Sequence, residues 1–168
     1  MAADAVELLI IEHLQCKAFK KLQDVEPDFD RFVAFHEFLL NVHIEVEEKV
    51  VFPALYEPLW DDSKEYRATI DLISADHKLL DKLARNLVHW KESGNEEFYR
   101  ERMPLYTRLL VEHNEKEESD IFKRWKSLDY YVYRSASKEI GSVISSFGIQ
   151  NYRKAMNLSE SAFNYLFE

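Results

Sequence analysis

At 168 residues the chain suits one domain, long enough to bury roughly two-thirds of its unfolded surface, so folding requires no disulfide or structural metal. With 3 Gly and 4 Pro beside 46% hydrophobic and 32% charged residues, a turn-rich β protein is disfavoured and an all-α fold expected. A net charge of -9 argues against a nucleic-acid partner, and no apolar run approaches the ~20 residues of a membrane span, so no membrane is expected either.

The first predicted helix covers residues 4–23, with Val6, Leu9, Ile10, Leu14 and Leu22 spaced as its buried stripe. Its amino end lacks the cationic start and apolar stretch of a signal peptide, so a cytoplasmic protein is expected. Cys16 agrees with a reducing compartment; three residues after His13, it reads as a small, partly buried apolar residue. The second helix starts near Pro27, which suits a first helical turn, and runs to about residue 55, with Pro53 expected to kink or end it. A linker at 57–62 follows, and Asp62 with Glu65 forms a capping pair for a third helix ending near residue 92, before Ser93 and Gly94. Asn95 is positioned to cap a fourth helix reaching residue 125 or 126, with a bend at Pro104. Short connections between four such helices favour an up-down-up-down antiparallel four-helix bundle. Residues 1–126 form that bundle, and 127–168 read as a C-terminal extension of one or two further helices outside it. The extension's aromatic residues, among them Phe163, Tyr165 and Phe167, either pack over the bundle or self-associate into a homodimer.

Two motifs of the first half return in the second. Glu12-His13 is matched by Asp76-His77, 64 residues on, and His43-x-x-x-Glu47-Glu48 by His113-x-x-x-Glu117-Glu118, 70 residues on. A histidine with an acid four residues later is common by chance in so acidic a chain; the ordered doublet in each half is what carries weight. Residues four apart project from one helix face with Cβ atoms about 5–6 Å apart. His13, His43, Glu47, His77, His113 and Glu117 could thus converge on the core from four helices, where carboxylates without a cation would be costly. Mixed imidazole and carboxylate ligation with an open position suits non-haem iron, and zinc or manganese meets the same ligands. His36, two turns before His43, is a further candidate ligand or a core residue, and His89 falls near a helix end. Glu12, Glu48, Asp76 and Glu118 either orient histidines or face solvent, the latter being the default.

These motifs and their order resemble the hemerythrin-like (HHE cation-binding) family over about residues 6–125. The resemblance implies two non-haem iron ions joined by an oxo or hydroxo bridge, with His13 and His43 on one, His77 and His113 on the other, and Glu47 and Glu117 bridging. Asp81 stands where the oxygen-carrying members have a histidine, one turn after the position of His77, and either replaces that ligand or faces solvent. The implied function is binding of O2, or of NO or peroxide, for sensing, storage, transport or detoxification. A di-iron oxidase or peroxidase, and an iron- or oxygen-responsive regulatory module, are the alternatives. Ferritin-like oxidases use Glu-x-x-His pairs, and no histidine here has Glu three residues before it.

Overall fold

Asp4 starts the first helix, α1 (Ala5–Val25): its Oδ1 accepts from the Val6 and Glu7 amides at 2.8 and 3.4 Å, capping donors that the helix leaves unpaired. Its Oδ2 accepts from Trp125 Nε1 at 3.1 Å, which ties this cap to the end of the fourth helical run. The computed structural model describes residues 4–56, 63–128 and 130–167, and among them all regular structure is helical. The predicted 57–62 linker and the Asp62–Glu65 capping pair fall on residues and side chains outside those described.

The buried face of α1 differs in part from the expected one, since only Val6 and Leu9 of the five expected residues are buried. Leu14 is 59% exposed, and Ile10 and Leu22 also face solvent, while Leu8, Leu9, Glu12, His13, Cys16, Phe19 and Gln23 are buried. The stripe is helical in period, but it is centred on His13 and includes polar residues that a search for apolar positions assigns to the surface.

The second run, α2 (residues 29–55), is capped by Asp28, whose side chain accepts from the Arg31 amide at 3.0 Å, so Pro27 precedes the cap. Two wide π turns interrupt it, Leu39–His43 and Glu47–Val51. Pro53 follows the second of them, and the run stops at Leu55. The third helix, α3 (Ser63–Glu92), ends at Gly94, whose φ of +78° few L side chains adopt, while Asn95 N–H reaches back to Trp90 O at 2.8 Å. The fourth run, α4 (residues 96–127), passes through Pro104, opens into a π turn at Glu117–Ile121 and tightens to a 3-10 turn over Phe122–Ser127. Asn95 occupies its cap position without a side-chain capping bond.

The runs pair in opposed order. Against α1, α4 sets Thr107 by Asp24 (3.3 Å), Glu115 by Lys17 (3.5 Å) and Trp125 by Asp4 (3.1 Å). Against α2, α3 sets Asp81 by His36 (3.5 Å) and His77 by Glu48 (2.7 Å). The Tyr66 hydroxyl donates to Ile121 O at 2.9 Å between α3 and α4, and Phe19 stacks on Phe35 at 4.2 Å between α1 and α2. Phe32, Phe38, Ile70, Leu87, Tyr99 and Met103 fill the interior, each large apolar side chain contributing about 1.5–3 kcal/mol by leaving water.

Beyond residue 128 the described residues form α5 (Tyr130–Phe147), α6 (Ile149–Ala155) and α7 (Glu160–Phe167), more than the one or two helices expected. Ala136, Ile140 and Ile144, four residues apart, form the buried stripe by which α5 lies over α1 and the π turns of α2, while α6 packs on α2. The aromatic residues divide: Tyr152 is wholly buried beneath Phe163 and Phe167, whereas Tyr165 is exposed.

Candidate metal centre

His13 projects inward from α1, His43 and Glu47 from α2, His77 from α3, and His113 and Glu117 from α4, all buried at one level of the interior. Their ligand atoms form two groups, His13, His43, Glu47 and Glu117, and Glu47, His77, His113 and Glu117, with the atoms of each group within 4.8 Å of one another. Both groups share the carboxylates. Glu47 turns Oε1 to His43 Nε2 (3.4 Å) and His13 Nε2 (3.8 Å), and Oε2 to His77 Nε2 (3.2 Å). Glu117 turns Oε2 to His13 Nε2 (3.4 Å), and Oε1 to His113 Nε2 (3.4 Å) and His77 Nε2 (3.5 Å).

The π turns sit where these residues are. The Glu47 carbonyl accepts from the Phe52 amide and the Glu117 carbonyl from the Phe122 amide, five residues on in both repeats. The same two phenylalanines stack on imidazoles of neighbouring helices, Phe52 on His77 at 5.9 Å and Phe122 on His13 at 5.5 Å. The wide turns at Glu47–Val51 and Glu117–Ile121 therefore each start on a central carboxylate and end at a phenylalanine that walls a histidine.

Three of the four outer nitrogens are held by acids of neighbouring helices, and the fourth faces one. His43 Nδ1 lies 2.7 Å from Glu12 on α1, His77 Nδ1 2.7 Å from Glu48 on α2, and His13 Nδ1 2.9 Å from Glu118 on α4. Asp76 on α3 is 3.7 Å from His113 Nδ1 and also meets Lys116 Nζ at 3.4 Å. Solvent was the default for these acids; instead Glu12, Glu48 and Glu118 each hold a histidine on another helix. Because a carboxylate only accepts, Nδ1 carries the proton and Nε2 is left to face the centre.

All four Nε2 atoms, and all four oxygens of Glu47 and Glu117, are buried without a hydrogen-bond partner. One such atom costs about 1–3 kcal/mol, so this group alone would consume much of the ~5–15 kcal/mol stability of an ordinary domain. Protons offset part of the charge. Burial would lower the His13 pKa, but Glu117 and Glu47 outweigh it and hold it up to about 10; Glu117, Glu47 and Glu48 likewise raise His77 to about 12. Burial would raise Glu47 and Glu117, yet the surrounding imidazoles bring both below the usual carboxylate range. His113 is lowered by burial. Four converging imidazoles and two ionised carboxylates, buried together, are suited to one chemistry above others: holding cations, which displace the protons of His13 and His77.

The model of the hemerythrin HHE cation-binding domain family matches residues 4–125. The chain belongs to the hemerythrin HHE cation-binding domain family. Neither the curated proteins nor the solved structures searched gave a match.

The two further candidates of this HHE domain lie outside both groups. His36 turns Nδ1 to the Tyr106 hydroxyl (3.1 Å) and Nε2 toward Asp81 (3.5 Å), while Asp81 accepts from Arg85 Nε at 2.9 Å. Asp81 neither joins the central atoms nor simply faces solvent. His89 is exposed near the end of α3. Cys16 is fully buried rather than partly so, and burial pushes its thiol pKa up, which keeps it a protonated, inert side chain. Sequence reasoning missed Tyr152, whose hydroxyl donates to Glu12 Oε1 at 2.9 Å from 140 residues away; no local signal marks it. Phe52 and Phe122 were legible as equivalent positions of the repeat, though their stacking was not.

Proposed function

We propose that this HHE domain is a non-haem di-iron protein that binds O2, or a related small ligand such as NO or peroxide, in the cytoplasm for sensing, storage, transport or detoxification. The opposed pairing order of its long helices supports an up-down-up-down antiparallel bundle spanning residues 1–126. One observation carries the reading: two buried groups of donors share Glu47 and Glu117, and each carboxylate directs separate oxygens to opposite histidine pairs. His13 and His43 would hold one iron, His77 and His113 the other, with the two glutamates bridging. Four imidazoles and two carboxylates leave open positions on two six-coordinate irons, and such ions supply one-electron redox chemistry for a small ligand. The protein's own part is to orient the imidazoles through Glu12, Glu48 and Glu118 and to exclude bulk water with Phe52 and Phe122.

Metal analysis with an anaerobic-to-aerobic absorption spectrum tests this. Equal loading of both groups with iron, and a charge-transfer band that appears on aeration and reverses on deoxygenation, is expected. Loading of a single ion per chain, or iron lost as soon as air is admitted, overturns it, and sustained O2 or peroxide consumption points to an enzyme instead.

A further inference from the structure

The acids behind the histidines are unequal. Glu48, Asp76 and Glu118 have side chains 37%, 35% and 33% exposed, so water reaches their outer oxygens, whereas the Glu12 side chain is 1% exposed. Glu12 has its two oxygens satisfied by two protein groups, His43 Nδ1 at Oε2 and the Tyr152 hydroxyl at Oε1. Tyr152 comes from α6, in the C-terminal extension outside the family match, and its ring is fixed among Phe38, Phe163 and Phe167 at centroid distances of 5.8, 6.2 and 5.9 Å.

We propose that Tyr152 is a positioning residue of the centre: by occupying Glu12 Oε1 it leaves Oε2 to fix the His43 imidazole, with Nε2 directed at Glu47. The inference rests on the metal reading given above and assigns the extension a role in it. Burial, reinforced by Glu12, pushes the phenol pKa up, so the hydroxyl remains a donor. Removing that donor leaves a buried carboxylate oxygen without its partner, and Glu12 must rotate to satisfy it. That rotation releases His43 Nδ1. Among the described residues no hydrogen bond links the extension to the acids behind His77 and His113, so the effect falls on the half-site of His13 and His43.

The test uses full-length Tyr152→Phe, which keeps the ring among its aromatic neighbours, with the exposed Tyr165→Phe as control. Each is loaded anaerobically with Fe2+ and challenged with a chelator, and 15N NMR of the metal-free proteins reads the His43 tautomer. In Tyr152→Phe one of the two ions should leave about 10–100-fold more readily while the other is unchanged, and His43 should lose its single Nδ1–H form. Glu12→Gln, which leaves the aromatic packing alone, should show the same one-ion loss, and it carries the test if Tyr152→Phe does not fold. Wild-type retention of both ions with an unaltered His43 tautomer overturns the inference while sparing the metal reading. A wild-type chain that takes up no Fe2+ overturns both.

Discussion

Glu12 Oε2 lies 2.7 Å from His43 Nδ1, so the acid that directly precedes one histidine in the chain serves the imidazole of another helix. Glu48 does the same for His77 and Glu118 for His13, and Asp76 is turned toward His113. Three of the four long helical runs thereby lend a hydrogen-bonding acid to the next, and Asp76 faces His113 at 3.7 Å in the remaining place of the circuit.

Because Glu47 and Glu117 belong to both donor groups, they should matter more than any single histidine. Glu117→Ala is expected to abolish binding of both ions, whereas His113→Ala should abolish only one. Metal-to-protein ratios after desalting check this; loss of one ion in both variants would show that the carboxylate is not shared.

Without metal, stability should depend on pH as a dome. The raised pKa values of His13 (about 10) and His77 (about 12) contribute stability that is full below the ordinary 6.5 and falls as pH rises through those values. The lowered Glu47 and Glu117 contribute above the ordinary 4.5 and lose it as pH falls, and His113 and His36, lowered by burial, cost stability as pH falls below 6.5. Denaturant midpoints of metal-free protein should therefore decline on both sides of a maximum near 6.5. A midpoint unchanged between pH 7 and about 10 would contradict the proton assignment at His13.

His36→Gln and Asp81→Asn should each leave the iron content at its wild-type level, because the pair they form, 3.5 Å apart, stands outside the central atoms. Iron quantification decides; a half-loaded Asp81→Asn protein would make Asp81 a ligand.

On α1, Ile10→Lys and Leu14→Gln should each change stability by less than about 0.5 kcal/mol, since both side chains are solvent-exposed. Leu9→Ala, one position from Ile10 but buried, should cost about 2–5 kcal/mol. Urea unfolding measures all three, and equal losses at Leu9 and Leu14 would restore the apolar stripe as first read.

The all-helical class and the C-terminal end of α3 were legible because Gly94 and the long 3.6-residue period leave few alternatives. The doublets at His13 and His77, and at His43 and His113, located the residues that gather in the interior, since the repeat preserves helical phase. The buried side of α1 was misread for the same reason that the site exists: Glu12, His13 and Gln23 take core positions that hydropathy alone gives to Ile10, Leu14 and Leu22. The π turns have no signature of their own in a single sequence, and the contact between Tyr152 and Glu12 spans too much chain for any local pattern to reveal.

Protonated imidazoles facing Glu47 and Glu117 carry a consequence for the life of the molecule before a cation binds. Two positive rings offset the two central carboxylates, so a newly made chain can close its interior around protons as placeholders. Acquiring the metal then becomes an exchange, cation in and proton out.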